Sequence, residues 1–248
     1  YAPKRFFDLY KDREVRLPEV RNDPLSNVAP WAQRKVVNPE YHERIRGAGK
    51  WAQAVRGYLA SVSYADEMLG HVLDSLEQHP EGEETVVVVT TDHGWHLGEM
   101  GHWGKSTLWD RATRVPLFIS GPGVRSGRTS HVASLMDLAP TLADMFSLPK
   151  RPDWHGRNLS SLLSAGTSAE EGRALSSLRG HSHALRVKDW RYIRYRNGEE
   201  ELYDHRLDPA ERYNVADNPA YATVLADARE KLASELRRQG ECSVIDRG

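Results

Sequence analysis

The chain has a single cysteine, Cys242, so no internal disulfide can staple it, and its fold must come from a buried core. No apolar run approaches the roughly 18 residues needed to cross a bilayer, so the sequence offers no membrane span. Excess charge of one sign is missing too: 34 basic residues against 35 acidic ones leave a net charge of -1. That balance argues against a nucleic-acid partner or an anionic membrane surface. The first residues, Tyr1-Ala-Pro-Lys-Arg-Phe-Phe-Asp, include neither an initiator Met nor the apolar centre of a signal peptide. They read as the middle of a longer protein, and they leave its compartment open.

What remains is ordinary for a soluble domain, with 39% hydrophobic and 28% charged residues among 248, enough to bury a substantial core. Four X-Pro pairs, Leu17-Pro18, Asp23-Pro24, Ala29-Pro30 and Asn38-Pro39, predict an extended, irregular segment over residues 1 to about 50. From Trp51 to Gln78, apolar residues recur at spacings of three and four, which predicts a long amphipathic helix. A β-branched run, Thr85–Thr91, then predicts a strand buried on both faces, as in parallel sheets. A short helix is expected over Ser106–Ala112, a strand over Val115–Ser120 with Pro116 at its start, and a helix over Ser134–Phe146.

This order of helices and strands implies an α/β fold with a mixed sheet and flanking helices over residues 1–150. Residues 151–180, rich in Ser, Gly and Arg, read as a linker. Residues 181–248 read as a small antiparallel-sheet subdomain, with strands at Ala184–Val187, Trp190–Arg196 and Glu200–Tyr203. A hairpin turn is expected at Asn197-Gly198, and a terminal helix over Asn218–Arg238.

The chemistry centres on Asp92-His93-Gly94, directly after the valine run. In open α/β sheets, ligands bind beyond the carboxyl ends of the strands. A carboxylate and an imidazole there suit a divalent cation. The alternative is a plain turn, with the aspartate capping its own backbone. Lys105, between Gly104 and the expected helix, is placed to neutralise an oxyanion, or else is a solvated surface lysine. His96 and His102 are candidates to protonate a leaving group or touch the anion, and Glu99 to brace the loop. Asp137, early in its helix, is placed to favour the helix dipole. Trp31, Trp51, Trp103 and Trp154 offer rings that can stack on sugars or simply pack.

Thr91-Asp92-His93-Gly94-Trp95-His96-Leu97-Gly98-Glu99, followed by Gly101-His102-Trp103-Gly104-Lys105, resembles the metal-and-sulfate motif of the sulfatases, most of all the branch containing iduronate-2-sulfatase. Met136-Asp137-Leu138-Ala139-Pro140-Thr141-Leu142, Arg114-Val115-Pro116-Leu117 and Glu200-Glu201-Leu202-Tyr203-Asp204 to Glu211 agree with it. The resemblance implies an alkaline-phosphatase-like sandwich and hydrolysis of sulfate esters, with Asp92 and His93 as ligands of one divalent cation, usually calcium, and Lys105 on the sulfate. It implies a sulfated small molecule or sugar as substrate, and a periplasmic, secreted or lysosomal setting.

The family nucleophile is a formylglycine made from a Cys/Ser-x-Pro-x-Arg motif. None is read in this chain, and Cys242, followed by Ser-Val-Ile-Asp, does not fit. The chain is therefore read as the C-terminal part of a sulfatase, inactive by itself and needing the N-terminal part as partner. Two alternatives stand beside it: a phosphate or phosphonate ester hydrolase on the same sheet, and a non-catalytic remnant that binds an anion, a glycan or a protein. Apolar surface left uncovered on the valine strand would make the chain associate.

Overall fold

The computed structural model describes residues 2–20, 23–168, 170–178 and 181–240; Cys242 lies outside them. The fold is α/β, as expected. Residues 2–50 depart from the extended reading: they carry helices α1 (Lys4–Asp8), α2 (Pro30–Lys35) and α3 (Pro39–Gly47). Pro30 and Pro39 each sit at the start of a helix, where a fixed φ is favourable and the missing N–H costs nothing. The prolines that argued against helix are thus helix starters. The long helix α4 runs from Trp51 to Glu77. It holds α1 through a Phe6–Tyr64 ring contact and a 2.7 Å bond between the Tyr10 and Ser63 hydroxyls.

The valine run forms β1 (Val87–Thr90), and the site loop after it contains the small hairpin β2 (His96–Leu97) and β3 (Trp103–Gly104). Helix α5 is only Asp110–Thr113, and β4 is Leu117–Ser120, starting just after Pro116. β1 pairs with β4, and the pairing is antiparallel. Instead of being buried on both faces, Val87–Val89 are half-buried, and Phe118 on β4 is 65% exposed. Helix α6 (Leu138–Met145) follows a 3-10 turn at Leu135–Asp137. Within the segment read as a linker lie helix α7 (Ser160–Ala165) and strand β5 (Arg173–Leu178).

β5 begins a four-stranded antiparallel sheet with β6 (Ser182–Val187), β7 (Trp190–Arg194) and β8 (Glu200–Asp204). The Asn197-Gly198 turn is where the sequence places it, with Gly198 at φ 88°. Helix α8 (Ala222–Arg238) packs Leu225, Ala228, Leu232 and Leu236 against Leu185, Val187, Tyr192 and Leu202 on one sheet face. The opposite face, with Ala184, Ile193, Tyr195 and Tyr203, is covered by Val28, Ala29, Ala32 and Val36 from the N-terminal segment and by Trp109 from the site loop. The alternation expected of a half-solvated sheet is lost because both faces are dry.

Glu201 is the polar centre of that second face and is fully buried. Its carboxylate accepts the Ala29 N–H at 2.8 Å, the Trp109 indole N–H at 2.8 Å and the Tyr203 hydroxyl at 2.9 Å. Burial pushes the carboxyl up to about 7, against the lowering effect of those donors.

Two outcomes follow from this packing. A carboxyl whose folded pKa is raised favours the fold below its unfolded pKa, and that advantage is lost as pH rises through the folded value. Between pH 5 and 8, wild-type stability should therefore fall relative to Glu201→Gln by about 2.5 kcal/mol. Urea unfolding at pH 5, 6.5 and 8 measures it, and parallel curves would refute the assignment. On the β1/β4 ribbon, Phe118→Ser should increase the monomeric fraction in size-exclusion chromatography; an unchanged profile would show that this face does not drive association.

Candidate active site

Asp92 and His93 follow the end of β1. Gly94 is stitched to α5, donating its N–H to Ala112 O at 2.9 Å. A Cβ on Gly94 would lie 2.1 Å from Arg111 O, so only glycine permits this approach. The Asp92 carboxylate accepts the His93 backbone N–H at 3.0 Å and the Thr91 hydroxyl at 3.3 Å. Slight desolvation raises the Asp92 carboxyl, but the neighbouring His93 and these donors outweigh it and hold it below its ordinary value.

The His93 ring lies with Nδ1 2.8 Å from Gly94 O. A carbonyl only accepts, so Nδ1 carries a proton, and of the two neutral tautomers only the one that leaves Nε2 as an acceptor fits this contact. Nε2 sits 3.5 Å from Asp92 Oδ2. One carboxylate oxygen and one ring nitrogen thus lie side by side, with the Nδ1 end of the ring held by a backbone carbonyl, as histidine ligands in metal sites are. This donor set fits a divalent cation. Asp92, His93 and Lys105 line the same open cavity, of about 1320 Å³. That is larger than the roughly 300–1,000 Å³ of a fitted small-molecule pocket.

Lys105 is exposed, but no helix starts there. Ser106 has φ 70°, Leu108 and Trp109 are drawn into the core, and α5 begins only at Asp110. The helix-dipole argument for Lys105 therefore fails, and its fitness to meet an anion rests on its charge and on the loop that carries it.

The two histidines of the loop do not line the cavity. His96 is fully buried, with Nε2 2.8 Å from the Thr107 hydroxyl, and burial followed by the nearby His102 depresses its pKa to about 3. Burial thus favours the neutral ring, which argues against an acid role. His102, 5% exposed, has Nδ1 3.2 Å from the Asn38 backbone N and Nε2 3.0 Å from Lys105 O. Glu99 accepts the Leu97 N–H at 2.7 Å and pairs with Arg111, so it braces the loop.

Trp51 donates to Leu97 O at 2.7 Å, Trp103 donates to His42 Nδ1 at 3.0 Å, and Trp31 packs on Tyr195. Neither these three nor Trp154 lines the cavity. Trp95, 42% exposed and named only within the motif, lies 6.3 Å from the His93 ring but does not line the cavity either; the aromatic that does is Phe118. Asp137 does more than favour a helix dipole. It is buried and accepts the Ser134 and Arg157 backbone N–H groups, pinning two loops.

Among the described residues, one group of three has ligand atoms within 4.8 Å of each other: Asp110, His205 and Glu211. Arg191 already fills it, bonding Asp110 at 2.9 Å and Glu211 through Nε, while His205 lies 2.7 Å from Glu211. Both carboxylates bond that guanidinium, which occupies the place a cation would take, so the group is built as an ion-pair network.

One literal match to Cys/Ser-x-Pro-x-Arg does exist and corrects the reading that the pattern is missing: Ser147-Leu148-Pro149-Lys150-Arg151. Its geometry does not fit a nucleophile. Ser147 lies just past α6 with φ 53°, Lys150 pairs with Asp144, Arg151 pairs with Asp153, and none of the five lines the cavity.

Residues 2–148 match the sulfatase family, and residues 98–239 match the C-terminal region of N-sulphoglucosamine sulphohydrolase. A sulfatase of Formosa agariphila is 32% identical over 221 residues, covering 88% of this chain and 44% of that protein. A choline-sulfatase of Rhizobium meliloti is 33% identical over 225 residues, again covering 88% and 44%. A solved structure in complex with its substrate D-glucosamine-2-N,6-O-disulfate is 25% identical, with a TM-score of 0.70 over 88% of this chain and 48% of that one. The chain spans less than half the length of these relatives. A match running through more than half of its residues settles the kinship: the chain belongs to the sulfatase family.

Proposed function

We propose that this chain forms the C-terminal region of a sulfuric ester hydrolase. In this reading it supplies two ligands for a divalent cation, Asp92 and His93, and a sulfate-contacting lysine, Lys105. The observation that carries the reading is the convergence of Asp92 Oδ2 and His93 Nε2 at 3.5 Å, on the cavity that Lys105 also lines. The bound cation, calcium by family resemblance, would supply Lewis-acid polarisation of a sulfate oxygen.

The chain's own groups then divide the work. Gly94 O holds the His93 proton on Nδ1, which keeps Nε2 available as a ligand. Lys105 offsets negative charge on a non-bridging oxygen as the S–O bond breaks. The one Ser-x-Pro-x-Arg match, Ser147 to Arg151, does not line the cavity, so this reading takes the family nucleophile from outside this sequence. A sulfated sugar is the substrate class favoured by the relative captured with a sulfated glucosamine. Among the described residues, no helix is long and apolar enough to cross a membrane.

Calorimetric titration of calcium into the chain should show one site, and Asp92→Ala or His93→Ala should weaken it by about tenfold or more. Equal affinity in all three proteins would remove the metal assignment. With 4-nitrophenyl sulfate, the chain alone should give no turnover above background. Turnover that disappears in Ser147→Ala would place the nucleophile in this chain after all.

A further inference from the structure

His102 is nearly sealed from solvent and spans two backbone groups of fixed polarity. The Asn38 N–H can only donate, so His102 Nδ1 accepts it, at 3.2 Å. The Lys105 carbonyl can only accept, so His102 Nε2 carries the proton and donates, at 3.0 Å. Both contacts are satisfied at once only by the neutral ring protonated at Nε2. Burial lowers the pKa of His102, in keeping with a ring that stays neutral. Its other close ring neighbour, His96, stands edge-on at 5.2 Å and is itself neutral.

The backbone on either side of Lys105 needs such a hold. Gly104 has φ 96° and Ser106 has φ 70°, so the lysine sits between two left-handed residues, one of them not glycine. No helix N-terminus supports it. The Asn38 end of the bridge is firm: it joins α2 to α3, and the Asn38 side chain caps α3 by accepting the Tyr41 N–H at 3.3 Å.

We propose that His102 is a positioning residue for Lys105, a neutral strut that ties the anion-contacting lysine to the α2–α3 junction. This rests on Lys105 being the sulfate contact. His102 itself does not touch the cavity, so it acts only through the lysine's backbone.

The test uses the whole chain, calcium-loaded, with inorganic sulfate as the probe. Long-range proton–nitrogen NMR on the wild type should show His102 protonated at Nε2 alone at pH 7; an Nδ1 proton would overturn the strut. Two variants then separate the ends of the bridge. His102→Gln keeps a donor at the Nε2 position, and His102→Asn keeps an acceptor at the Nδ1 position. A structural role alone would weaken sulfate binding equally in both.

The strut predicts a loss of about fivefold in His102→Asn, the worth of one neutral hydrogen bond, and recovery to within about twofold of wild type in His102→Gln. Equal loss in both variants, or no loss in either, would overturn it. Lys105→Ala separates this from the underlying reading. Wild-type sulfate affinity in that variant would remove the lysine's role, while the tautomer and the Lys105 carbonyl shift in the two His102 variants still judge the bridge.

Discussion

Much of the molecule depends on one buried carboxylate. Glu201, fully buried, gathers an N–H from the start of α2, the indole of the site loop and a tyrosine of its own strand. Three segments far apart in sequence meet there: residues near 29, near 109 and near 201. A hydrophobic residue could fill the same volume but would leave those three donors unpaired in a dry interior, at a cost of about 1–3 kcal/mol for each buried group. The charge that weakens the fold at alkaline pH is thus also the group that makes the assembly specific.

This arrangement bears on how the chain is divided. A boundary near 151–180 is natural in the sequence, where the composition shifts. In the packing, the small sheet is closed on one side by α8 and on the other by residues from both the N-terminal segment and the site loop. The ion-paired network of Arg191, Asp110, Glu211 and His205 crosses the same division. The sheet region and the site loop behave as one packing unit, so changes in β7 or β8 bear on the loop that carries Lys105.

The parts legible in the sequence were those set by local periodicity or by a motif. The 3.6-residue pattern of α4, the Asn197-Gly198 hairpin and the strand starting after Pro116 are local properties and were read correctly. The helix over Ser106–Ala112 was misread because tertiary burial of Leu108 and Trp109 overrides propensity there. The N-terminal helices were missed because proline was taken as a breaker, while at the first helical position it is a starter. At the site, Asp92, His93 and Lys105 were visible as residue types in a motif. The supporting role of His102 was not, because its partners are backbone groups, and one of them lies 64 residues away.

The bond between the Trp109 indole and Glu201 has a spectroscopic consequence. An indole whose N–H faces a carboxyl near its titration point sits in a local field that changes sharply with one proton. Emission from that ring would follow the ionisation of the buried acid directly, giving the protein an internal optical gauge of whether its central joint is charged.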